Sequence, residues 1–61
     1  MNNKTDKIMK KAISLASKWY DSFTTQTMTE EQGHQFMAEC GDAEMAETVM
    51  RLIAIRASLL N

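Results

Sequence analysis

The sequence predicts an all-α protein: three helices, long–short–long, forming a helical hairpin or bundle that is completed by homodimerisation. Three observations predict it. The 61 residues contain no proline and only two glycines, Gly33 and Gly41, among many strong helix formers. Apolar residues recur at helical spacing over residues 5–23 and again over 43–60. The last of these stretches is apolar around more of its circumference than two short neighbours can cover.

Helix 1 is expected over Thr5–Phe23. On a helical projection Ile8, Met9, Ala12, Ile13, Leu15, Ala16, Trp19, Tyr20 and Phe23 fall within about 160°. Lys7, Lys11, Ser14 and Lys18 lie on the opposite side. Thr24-Thr25-Gln26-Thr27 should then break the helix, because β-branched polar residues bond local backbone and lose rotamer freedom.

Two overlapping capping boxes follow, Thr27-x-x-Glu30 and Thr29-x-x-Gln32. In each, the hydroxyl can accept from an unpaired helix N–H while the later side chain reaches back. Helix 2 is therefore expected over residues 29–40, with a short apolar face of Phe36, Met37 and Cys40. Gly41 provides a left-handed stop and Asp42 a cap for the next helix, with Glu44 in its first turn. The alternative is one bent helix over residues 29–60.

Helix 3, over residues 43–60, has apolar positions spread over about 220°. Only Glu47, Arg51 and Ser58 make a consistently polar edge. A helix of this kind is normally enclosed on more than one side, which is the reason to expect a dimer. Val49, Leu52, Ile55, Arg56 and Leu59 are the expected self-association residues. Helix 1 is expected to pack antiparallel on helix 3, with helix 2 as a clasp.

Arg56 projects into the apolar arc of helix 3. A buried guanidinium must be paired, so an inter-subunit or partner-facing ion pair is expected, with Asp21, Glu39 or Asp42 as candidate carboxylates. Alternatively its stem covers apolar surface while the head reaches water.

The formal charge of −1 hides an asymmetry. Residues 1–20 carry five lysines and one aspartate; residues 21–61 carry seven acids and two arginines. Lys4, Lys7, Lys10 and Lys11 crowd the start of helix 1, where positive charge opposes the helix dipole. The stripe Lys7, Lys11, Lys18 is the candidate face for an acidic partner, for nucleic acid or, with Trp19, Tyr20 and Phe23, for a membrane surface. It is equally what the solvated face of any amphipathic helix requires, and the aromatics suit a core.

Catalytic and metal chemistry lack their residues. Cys40 is the single cysteine and His34 the single histidine, so no disulfide forms within the chain and a zinc site is short of ligands. His34 projects well away from Cys40 on helix 2, which removes the base a catalytic thiol needs. No glycine-rich phosphate loop is present. No enzyme activity, metal or cofactor is expected. The longest apolar run, Leu52-Ile53-Ala54-Ile55, is far short of the ~20 residues of a membrane span, and a cytoplasmic location is expected.

Helix 2, Gly41 and helix 3 resemble a helix-turn-helix in outline only. Asp42, Glu44 and Glu47 would crowd the start of the recognition helix against DNA phosphates. The expected function is a non-enzymatic protein-interaction module or regulator, an adaptor or inhibitor acting as a homodimer. Its size and style suggest an accessory protein of bacteria or their phages. Nucleic-acid binding through the helix 1 lysines of a dimer is the alternative.

Overall fold

The structure, a computed structural model, describes residues 3–25 and 27–60. It is helical throughout: α1 spans Asn3–Thr25, α2 Glu30–Cys40 and α3 Ala43–Leu60. No strand occurs among the described residues, and none of their helices is long and apolar enough to cross a membrane.

The first helix is longer than its apolar pattern. Thr24 and Thr25 continue it, because their hydroxyls donate to the carbonyls of Tyr20 and Asp21 one turn earlier, at 2.8 and 2.6 Å. The side chains expected to draw the backbone out of the helix find their acceptors inside it. Gln26 lies outside the described residues.

Of the two capping boxes, the second forms. Thr29 is the N-cap of α2: its hydroxyl accepts from the Gln32 N–H at 3.1 Å, and the Gln32 side chain accepts from the Thr29 N–H at 2.9 Å. Gly41 ends α2 at φ 91°, its N–H donating to the Met37 carbonyl. Asp42 then caps α3, its carboxylate accepting from the Met45 N–H at 2.7 Å. The chain therefore breaks at Gly41 and does not run on as one bent helix.

Ala12, Ala16 and Trp19 of α1, Phe36 and Cys40 of α2, and Met45, Ala46, Val49 and Ile53 of α3 form the core. The alanines let backbones approach closely, and the larger side chains fill the remaining space. Burial of side chains the size of Val49 or Ile53 contributes about 1.5–3 kcal/mol each. Phe36 docks α2 by meeting Trp19 and Phe23 edge-on, with ring centroids 5.4 and 5.0 Å away. Met37, expected on the same apolar face, is exposed.

The helix directions differ from expectation. Ile8 and Lys11 of α1 share a cleft with Asp42, Glu44, Met45 and Thr48 at the start of α3. Further along both helices, Ser17 and Tyr20 meet Arg56. The two helices thus run in the same general sense. Helix α2 is the antiparallel partner of α1, with Trp19 against Phe36 and Lys18 against Glu39. Two short joins each turn the chain back, so the third helix resumes the direction of the first.

The two glycines should respond oppositely to alanine. Gly33 lies inside α2 with nothing within 4 Å of an added Cβ, so Gly33→Ala should stabilise the fold by about 0.5–1 kcal/mol. At Gly41 the positive φ makes any Cβ unfavourable, and Gly41→Ala should cost about 1–2 kcal/mol. Urea melts followed by circular dichroism check both signs.

Candidate interaction surface

Helix α3 has more apolar side chains than the core accepts. Leu52 is half-buried against the core, while Ile55 is 56% exposed and Leu59 80% exposed. Their spacing places the three on one edge of the helix. Val49, expected on the same surface, is fully enclosed by this chain's own helices. It belongs to the core cluster and is withdrawn from any interface surface.

Towards the start of α3 the same edge carries Glu44 and Thr48, which line a cleft of about 290 Å³ together with Ile8, Lys11, Cys40, Asp42 and Met45. Its lining mixes the apolar Ile8, Cys40 and Met45 with the charged Lys11, Asp42 and Glu44. Nothing in the one-dimensional pattern signals this cleft, since it depends on α1 passing close to the α2–α3 turn.

Arg56 is exposed and not enclosed in the apolar arc. Its guanidinium lies over the Tyr20 ring, 4.5 Å from the centroid. It also makes a long 3.5 Å contact to the Ser17 hydroxyl. None of Asp21, Glu39 and Asp42 forms an ion pair with it; the ion pairs among the described residues are Lys18–Glu39 and Arg51–Glu47. Stacking on an aromatic face suits the planar, weakly hydrated guanidinium, and most of its five donors have no acceptor among the described residues.

Glu39 is the polar hub that sequence reasoning missed as such. Its carboxylate accepts from the Lys18 ammonium at 2.8 and 2.9 Å, from the Trp19 indole at 3.0 Å and from Gln35 at 3.1 Å. These bonds, that from Lys18 foremost, hold its pKa down to about 2 from the ordinary 4.5. Only the Gln35–Glu39 spacing was visible locally; the other two partners come from a different helix.

The lysine stripe is divided by the fold. Lys18 is occupied by Glu39, and Lys11 lines the cleft beside Asp42 and Glu44. Lys7 is exposed on the outer surface. Trp19 is buried in the core, with Tyr20 and Phe23 packed partly against it.

Cys40 is buried, and that burial pushes its thiol pKa up, with Lys11 acting in the opposite direction and Glu39 and Asp42 adding to the rise. A thiol kept protonated is a weak nucleophile. His34 is exposed. Among the described residues no cluster of three or more His, Cys, Asp or Glu side chains could hold a metal ion. The geometry offers an apolar edge, a stacked arginine and a cleft.

Comparison with protein-family models, curated proteins and solved structures finds no match to this chain.

The Glu39 hub gives the fold a signature in acid. A carboxylate whose pKa is lowered on folding stabilises above its unfolded value and loses that contribution as pH falls towards the folded one. The Tm of the wild type should therefore fall more steeply than that of Glu39→Gln between pH 4.5 and about 2. Parallel curves from the two proteins would show that the carboxylate does not support the fold.

Proposed function

We propose that the chain is a small non-enzymatic interaction module, an adaptor, inhibitor or regulator, that acts as a cytoplasmic homodimer. The kind of protein is that of the accessory factors of bacteria and their phages. One observation carries the reading: Ile55 and Leu59 stand mostly exposed along one edge of α3, in a chain of 61 residues with little other core to draw on. Large contiguous apolar surface on a small protein marks an association site, and domains of this size often depend on oligomerisation. Leu52 continues the edge inward, and the Arg56–Tyr20 stack beside it supplies the residue types that dominate binding energy at interfaces.

The alternative, nucleic-acid binding through Lys7, Lys11 and Lys18, has less to draw on. Lys18 is neutralised by Glu39 and Lys11 is placed among acids. A phosphate backbone requires several lysines presented together.

Ile55→Glu tests the self-association. The site is exposed in the subunit, so the variant should keep its helix content, with Tm lowered by the loss of the partner and no longer dependent on protein concentration. The mass measured by sedimentation should halve as a buried carboxylate replaces an apolar contact. A wild type that sediments as a compact, cooperatively melting monomer at high concentration refutes the reading.

A further inference from the structure

The edge of α3 that carries the surplus apolar side chains is not uniform. At its C-terminal end Ile55 and Leu59 protrude, with Arg56 beside them lacking a carboxylate among the described residues. At its N-terminal end, on the same edge, Glu44 and Thr48 line the cleft with the apolar Ile8, Cys40 and Met45, and there two acids, Glu44 and Asp42, outnumber the one cation, Lys11. Glu44 is exposed and forms no ion pair among the described residues. Protrusion and recess, and cation and anion, thus occupy opposite ends of one helical edge. Twelve residues separate Glu44 from Arg56, about 18 Å of helix.

A surface bearing both halves of a complementary pair can close on a copy of itself about a two-fold axis. We infer that two copies of this chain pair through antiparallel third helices, with the two-fold axis passing between Thr48 and Leu52. Ile55 and Leu59 of each copy enter the cleft of the other, and Arg56 of each reaches the partner's Glu44. This arrangement rests on the homodimer proposed above and gives it an orientation and a register. Glu44 and Arg56 are equidistant from the point midway between Thr48 and Leu52, and there Leu52 faces the partner's Thr48 and Ile55 the partner's Met45, both lining the cleft, so one register satisfies the ionic and the apolar contacts. A parallel pairing sets Glu44 against Glu44 and Arg56 against Arg56, and leaves both clefts empty. Among the described residues of the subunit Arg56 has only the Tyr20 ring and a long contact to Ser17, so its donors remain available to a carboxylate.

Charge reversal distinguishes this register from any other use of the edge. Glu44→Arg and Arg56→Glu should each weaken the dimer, by roughly tenfold or more in Kd, because each sets like charges together twice. Mixing the two single variants should restore association, since every contact in the mixed dimer again joins opposite charges. Sedimentation velocity on each variant and on the mixture reads the result, with circular dichroism confirming that both remain helical. Leu59→Ser, at a site too exposed to affect folding, should also loosen the dimer by removing the group that enters the cleft. If the wild type dimerises and Ile55→Glu breaks it, yet the mixture associates no better than its components, the inferred register is wrong and the dimer stands. A monomeric wild type overturns both.

Discussion

The insertion of Phe36 between Trp19 and Phe23 is the contact on which the arrangement of the molecule depends. It ties the short α2 to the C-terminal half of α1, and edge-on aromatic packing contributes beyond simple area burial. Glu39, one turn further along α2, fixes the rotation of the same pair by receiving both the Trp19 indole and the Lys18 ammonium. Once α2 lies against α1 in that sense, Gly41 and Asp42 direct α3 back along the first helix. Every surface feature of α3 follows from that direction, including which of its side chains remain outside.

Folding also redistributes the charge. Along the chain the lysines gather in the first third and the acids follow, which suggests a molecule with a positive and a negative half. In space Lys18 lies on Glu39, and Lys11 shares a cleft with Asp42 and Glu44. The contrast is reduced at the seams between α1 and the other two helices, where two of the five lysines meet acids. This serves cohesion of the subunit more than long-range attraction of a polyanion, which needs an uncompensated field.

Features coded within one turn of helix were legible from the residues. Thr29 with Gln32, Gly41 and Asp42 behave as their local chemistry dictates, and so the helix boundaries around them were accessible. The amphipathic period of α1 marked Ala12, Ala16 and Trp19 as inward, and they are buried, but it grouped with them Ile8, Met9 and Ile13, which the short α2 and α3 leave exposed. Thr24 and Thr25 were misread because their hydroxyls have two local options, and backbone carbonyls one turn earlier won. Features that depend on how helices meet were not legible. Val49 and Leu59 both fall within the broad apolar arc, yet one is enclosed and the other is 80% exposed. That difference depends on where along α3 the other helices end. Arg56 is similar: its angular position was read correctly, but the ring awaiting it, Tyr20, belongs to a helix whose direction periodicity does not encode.

The 11 residues of α2 fall short of the about 12–15 that an isolated helix needs to persist in water. Docking and winding are therefore one event for this segment: separated from α1 it has no reason to stay coiled. Cys40 at its last position shares that fate, shielded while the segment is seated and open to solvent once it lifts. The rate at which an alkylating reagent reaches this sulfur becomes a clock for that partial opening, separate from the melting of the whole chain.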